Sequence, residues 1–341
     1  MDVITQNSNA LIIPAATEAR YGGNYGDATA ITKLLAKTSK YLITNQYAVC
    51  AGIFSDIPEN VLVLEGFMMD RFFAEQIVLR PNIKHRIAVV CDRGANGKQI
   101  IATTNAINAS RNFYGLDIIE EIFFTDKALK TEELLSIDDP YSLLDACQKA
   151  IESKATALAI VSCLDEDLEK QSRKKTPNQD YNPLEQIEAK ISSLVSRIFL
   201  KPCGYAPLLK NLLHENNEAL APHKRIGYSL LPSVFKALQH SPQIIPLPEA
   251  YKLFDNYYTD PRKLNLYPDL KDIAVTDLKN LVVPFDACNG TPMIEAYQKH
   301  IQLICVKNNV TNFSEPATLY SIPHVTVENY LEAAGVLVSS S

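Results

Sequence analysis

Tryptophan is absent from this chain of 341 residues, and glycine occurs only 12 times. No apolar run reaches the ~18 residues that a membrane-crossing helix needs. The first residues lack a basic stretch followed by an apolar core, so no secretory signal is expected. Positive charge is also short, with 33 Lys and Arg against 39 Asp and Glu. A net charge of −6 excludes the basic footprint of a nucleic-acid binder and removes electrostatic attraction to an anionic membrane. The six histidines form neither H-x-x-x-H nor H-E-x-x-H, so no histidine metal site is expected. The seven cysteines are odd in number and never spaced C-x-x-C, which argues against a disulfide framework or zinc site and for a reducing cytosol.

What is present is a regular alternation. Short apolar runs at 10–16, 41–44, 61–64, 86–91, 117–124 and 156–163 read as strands. Helical patterns fall at 27–40, 70–79, 98–114 and 140–154, with Pro81 stopping the second and Gly115 closing the third. After Leu164 the texture changes. Residues 165–182 are polar without period, and 11 of the 19 prolines lie between Pro177 and Pro268. One clear helix, 183–199, interrupts that stretch. Strand–helix–strand texture returns at 281–284, 291–300 and 302–306, with a last short helix at 328–334. The expectation is an α/β fold: a mostly parallel sheet with flanking helices, two lobes, and βαβ units at both ends of the chain. Residues 1–125 with 279–341 are assigned to a core lobe. Residues 126–278, with the polar loop and Pro-rich segment, are assigned to a second lobe.

Three of the twelve glycines fall within five residues, at Gly22, Gly23 and Gly26, followed by Asp27. The stretch Gly22-Gly23-Asn24-Tyr25-Gly26-Asp27 lies between a predicted strand and helix, where a parallel sheet binds ligands. Its spacing is neither a P-loop nor the dinucleotide fingerprint. Asp27 either caps the helix or meets a ligand, and its charge would repel a bare phosphate. A zwitterion or amine suits the loop better. Asn289-Gly290-Thr291-Pro292 is the matching loop at the other end, with Thr291 as the expected cap and Pro292 in the first turn. Strand-ending Asn45, Glu65 and Asp92 would share one rim, where crowded carboxylates act as general bases or hold Mg²⁺ through oxygen. Asp70-Arg71 forms either an internal ion pair or a substrate clamp. Cys203, in an apparent Pro/Gly turn, is the candidate nucleophile, although no base stands beside it in sequence.

These residues resemble a family of cyanobacterial and other bacterial proteins catalogued as a domain of unknown function, DUF family 3326. The resemblance rests on Pro14, Gly22-Gly23-x-x-Gly26-Asp27-Ala28, Glu65-Gly66, Asp70-Arg71-Phe72 and Leu79-Arg80-Pro81. It continues through Pro202-Cys203, Ala206-Pro207, Leu231-Pro232, Val283-Pro284 with Gly290, and Asn329-Tyr330. It implies a shared fold and pocket but no particular reaction. The chain departs from the family twice. It has Asn45-Gln46-Tyr47 where relatives tend to show His-Pro-Asn, and Tyr205 where they show His.

Together these readings point to a cytoplasmic enzyme on a small polar, carboxylate-bearing or zwitterionic metabolite. A lyase or isomerase without an organic cofactor fits the missing fingerprints, with Mg²⁺ left open. Asp27, Glu65, Asp70, Asp92 and Cys203 are the catalytic candidates. Gly22, Gly23, Asn24, Gly26, Asn45, Arg71, Asn289, Gly290 and Thr291 are the binding candidates. The alternative is a non-catalytic ligand-binding or regulatory protein on the same fold. The expected partner is a small molecule, with a homodimer left open and neither nucleic acid nor membrane expected.

Overall fold

The structure is a computed structural model that describes residues 7–14, 19–22, 28–49, 57–81, 83–130, 137–163, 183–208, 230–254, 258–260, 262, 264 and 266–340. Residues 23–27 and the polar loop 165–182 lie outside the described residues. The fold is mixed α/β, built on two parallel sheets.

The first sheet has six strands: β1 (Ser8–Leu11), β2 (Leu42–Asn45), β3 (Val61–Leu64), β10 (Leu278–Pro284), β11 (Gln302–Val306) and β12 (His324–Val327). Their spatial order is β12-β11-β10-β1-β2-β3, all parallel. Sequences such as VLVL and LICV are continuously apolar because both faces of a parallel sheet are covered. On one face lie α1 (Thr29–Ala36) and α9 (Tyr330–Ser339), which pack Leu35, Ala36, Ala333 and Leu337 against Leu11, Val63 and Val282. On the other lie α2 (Gly66–Phe73) and α8 (Thr291–Gln298), which pack Met68, Phe72, Met293 and Ala296 against Ile43, Leu281 and Leu303.

The second sheet has four strands: β5 (Ile87–Cys91), β6 (Ile118–Phe124), β7 (Ala157–Ser162) and β8 (Cys203–Pro207), in the order β6-β5-β7-β8. Helices α3 (Gly97–Tyr114) and α6 (Leu230–Gln239) cover one face, and α4 (Pro140–Glu152) and α5 (Pro183–Phe199) the other. A separate antiparallel pair joins β4 (Ile77–Arg80) to β9 (Gln243–Pro246), and the four-residue α7 (Tyr251–Phe254) follows β9. Among the described residues no helix is long and apolar enough to cross a membrane.

Three details differ from the sequence reading. The six-stranded sheet takes only residues up to Leu64 from the first half of the chain. Residues 87–91 and 118–124 pair instead with 157–162 and 203–207. Residues 70–79 are not one helix. Glu65 caps α2 early, Glu75 at φ 55° breaks it, and the β-branched Ile77-Val78 enter β4, so Pro81 ends a strand. Cys203 lies in β8, not a turn. Gly204 and Pro207 are tolerated there because β8 is the last strand of its sheet and Val234 of α6 packs where a Cβ on Gly204 would stand.

The two sheets meet along a seam. The Val63 amide donates to the His240 carbonyl at 3.0 Å, and Leu79 exchanges two backbone hydrogen bonds with Ile273. The side chain of Gln46, just beyond β2, faces Gly204 of β8.

Gly22 is the one described glycine of the cluster. Its φ is +91°, and an added Cβ would lie 2.7 Å from Ile13 Cδ1 and 3.2 Å from the Tyr47 carbonyl oxygen. Replacing Gly22 with Ala is expected to cost about 2 kcal/mol, from left-handed strain and overpacking together. Urea denaturation should show a lower midpoint at unchanged slope.

Candidate functional site

In the six-stranded sheet the chain runs outward from the centre in both directions. From β1 it passes through α1 to β2 and β3, and from β10 through α8 to β11 and β12. Because both crossovers have the same hand, α1 and α8 fall on opposite faces. A topological switch point therefore opens between the carboxyl ends of β1 and β10, the usual ligand crevice of such sheets. Gly22 and the Asn289–Thr291 segment lie on the stretches of chain that leave β1 and β10 there.

The crest is knitted by asparagine and aspartate side chains. Asn309 accepts from the Tyr21 amide at 2.8 Å, and donates to the Tyr21 carbonyl and the Tyr330 hydroxyl. The Arg20 amide donates to the Val310 carbonyl at 2.9 Å. Asp286 accepts from the amide and hydroxyl of Thr311 at 3.0 and 2.9 Å. Hydrogen bonds thus join described residues of the segments after β1, β10 and β11 into one rim. Gly290, at φ +90°, is the N-cap of α8 and supplies no side chain to cap it. Thr291 is the first helical residue instead of the cap, and Pro292 follows it. The half-buried Asn289 and exposed Gly290 place this uncapped helix start at the rim.

Asn45 points back into the sheet. It accepts from the Ile13 amide at 3.1 Å and donates to the Ile13 carbonyl at 2.7 Å, which ties β2 to the chain leaving β1. Both polar ends of its amide are occupied, so it shapes the crevice without offering a free group. Gly23, Asn24, Gly26 and Asp27 lie outside the described residues.

Two strands away, Glu65 ends β3 and begins α2. Its Oε2 accepts from the Phe67 and Met68 amides at 2.9 and 3.3 Å, and its Oε1 accepts from the Ser193 hydroxyl of α5 at 2.6 Å. The carboxyl group is half-buried in the seam. Burial pushes its pKa up to about 7, against the three hydrogen bonds that oppose the shift, and Asp70 raises it further. Burial also pushes Asp70 up to about 6, opposed by Arg71. Arg71 lies over the Phe67 ring at 4.5 Å and donates to Gln76 at 2.7 Å. Its Nε is buried without a hydrogen-bond partner among the described residues. Glu65 and Asp70 are thus two carboxyls that burial raises to about 7 and about 6, with Asp70 acting on Glu65 and Arg71 on Asp70 through their charges.

Asp92 is placed differently. It ends β5 at the switch point of the four-stranded sheet, between β5 and β7. Its carboxylate accepts from the amides of Gly94, Leu129 and Cys163 at 2.8, 2.9 and 2.9 Å. The protein's own anion fills that crevice and is almost fully buried. Asp92 and Glu65 end strands of different sheets, so the single shared rim does not form. Cys203 is buried between β8 and the α4–α5 face, and burial pushes its thiol well above the ordinary range. A neutral, enclosed thiol packs as a small hydrophobe. Tyr205 on the same strand is buried, with its hydroxyl 2.6 Å from Ser162 Oγ. Among the described residues no three His, Cys, Asp or Glu side chains converge to hold a metal ion.

Sequence reasoning missed Ser193, Gln46 and Asn309. Ser193 sits in a polar stretch of α5 with no motif around it, and only the packing of α5 on α2 reveals it. The usable signals for the crest are the polar residues that follow strands, Asp286 after β10 and Asn308-Asn309 after β11.

With this geometry in view, the match to known proteins is direct: the profile of a protein family of unknown function, DUF3326, matches residues 8–341. The chain belongs to that family. It is also similar to an uncharacterized lipoprotein of the cyanobacterium Synechococcus, at 24% identity over 97% of this chain and 90% of that protein. No solved structure matches it. Both glycine loops, Glu65, Asp70, Arg71 and the seam with α5 all fall inside the family segment.

Between about pH 4.5 and about 7 the folded chain holds a proton on Glu65 that the unfolded chain has lost. Folding stability is therefore expected to fall as pH rises through this window, and Glu65→Gln should flatten the slope in urea melts at several pH values. Asp92→Ala orphans three backbone donors and is expected to cost about 3 kcal/mol or more, read as a large drop in denaturation midpoint.

Proposed function

We propose that this protein is an enzyme acting on a small carboxylate-bearing or zwitterionic metabolite, by proton transfer of the lyase or isomerase kind. The observation that carries this reading is the pairing of Glu65 and Asp70, two carboxyls whose burial brings them near neutral pH, beside the incompletely bonded Arg71. A general base works best when its pKa lies near the working pH. In this reading Glu65 takes or returns the proton, and Ser193 fixes its orientation. Asp70 serves as the second acid–base group or binds a substrate amine. Arg71 pairs with a substrate carboxylate, for which its free donor is suited. The uncapped start of α8 at Gly290-Thr291 offers backbone N–H groups to a second anionic group.

The reading requires no organic cofactor and leaves Mg²⁺ open. The six described cysteines are all free thiols, in keeping with the cytoplasm. The Synechococcus relative is named a lipoprotein, so cell fractionation decides between that compartment and a lipid-anchored one.

The test uses a panel of small hydroxy-, amino- and unsaturated carboxylates, screened by thermal shift and then by proton NMR in D₂O. Wild-type protein is expected to bind a member and exchange or convert it. Glu65→Gln should keep the thermal shift and lose turnover by about 10²-fold or more. Arg71→Gln should lose the shift itself. Binding without exchange by the wild type would instead establish the ligand-binding alternative. Unchanged behaviour of both variants would overturn the site.

A further inference from the structure

Two cysteines that the rim chemistry does not use face each other, one in a loop and one in a strand. Cys288 lies in the loop after β10, Cys305 lies in β11, and their Sγ atoms are 3.5 Å apart. Both residues are fully buried. Two carbonyl oxygens, of Pro284 and Phe285, lie 3.4 Å from the Cys288 sulfur and help to hold it in place. A disulfide needs the sulfurs at about 2.05 Å, so closure takes a movement of roughly 1.5 Å. The loop is the rim segment that carries half-buried Phe285 and Asn289 and exposed Gly290, so local opening there brings Cys288 to solvent.

We propose that Cys288 and Cys305 form a dithiol oxidation site that a hydroperoxide converts into a disulfide. In the first step the Cys288 thiolate attacks the outer peroxide oxygen. The O–O bond breaks, the leaving alkoxide or hydroxide takes a proton, and Cys288 becomes a sulfenic acid. Sulfur is oxidised by two electrons and the peroxide is reduced. In the second step the Cys305 sulfur attacks the Cys288 sulfur, the S–O bond breaks, and hydroxide leaves as water with the Cys305 proton. Two thiols and one hydroperoxide give one disulfide, one alcohol or water, and one water. Cys288 reacts first because the hydrogen bond that the two sulfurs share pushes the Cys288 thiol pKa down and that of Cys305 up. The bond ties the entry of α8 to β11 and fixes the Asn289–Thr291 segment of the rim. The proposal is independent of the catalytic reading.

The full-length protein is treated with hydrogen peroxide or, separately, with diamide, then unfolded and alkylated. Two of the seven cysteines are expected to resist alkylation. Trypsin cleaves at Lys279, Lys299 and Lys307, so peptides 280–299 and 300–307 should travel as one linked species until reduced. In Cys305→Ser, peroxide should leave Cys288 as a sulfenic acid that dimedone captures. Seven alkylated cysteines after treatment, or linkage of another pair with Cys288 and Cys305 still reduced, would overturn the proposal. The peptide map of the wild type decides this even if a variant folds poorly.

Discussion

The architecture depends on one long-range pairing: β1, near the start of the chain, lies beside β10, which begins some 270 residues later. The pairing is pinned from inside. Asn9 stands opposite Asn280, and the Asn280 amide donates to Asn9 Oδ1 at 2.8 Å, while Asn9 donates to Ser39. Both asparagines are fully buried, so a slip of one residue would strand amide groups in an apolar layer. Until these strands meet, neither crossover unit has a sheet to cover. Such sequence separation also predisposes the chain to slow folding.

The same pairing makes the crevice. Strands that grow outward from a central pair send their first helices to opposite faces, and the gap between those helices opens at the carboxyl ends of the pair. The second sheet repeats the arrangement on a smaller scale and closes it with Asp92. One switch point is thus stoppered by the internal carboxylate of Asp92, while at the other Asn45, Asn309 and Asp286 bind neighbouring backbone and side chains.

Much of this was legible in the sequence. Continuous apolar runs identified the parallel strands, and Gly115, at φ 63°, closes α3 as its position suggested. The βαβ texture at both ends of the chain also matched the two crossovers of the six-stranded sheet. Strand partnership was not legible, because 87–91 and 118–124 carry the same buried-strand signature as 42–45, and nothing in such runs names a neighbour. The roles of individual carboxylates were equally hidden. Asp92 and Glu65 both end strands, yet three backbone amides saturate one while packing against α5 desolvates the other. Cys203 looked like a turn residue because Pro and Gly surround it, and tertiary packing overrode that local signal.

The antiparallel pair β4–β9 carries one more implication. Arg80 stands opposite Gln243 and Ile77 opposite Pro246, so the chain leaves for the second sheet and returns along adjacent lines. In covalent terms the whole four-stranded lobe is the loop of a hairpin. A folded insert holds its own ends together, so seating it between two paired strands is no harder than closing a short turn. The six-stranded sheet could accept a lobe of any size at that point without altering its own register.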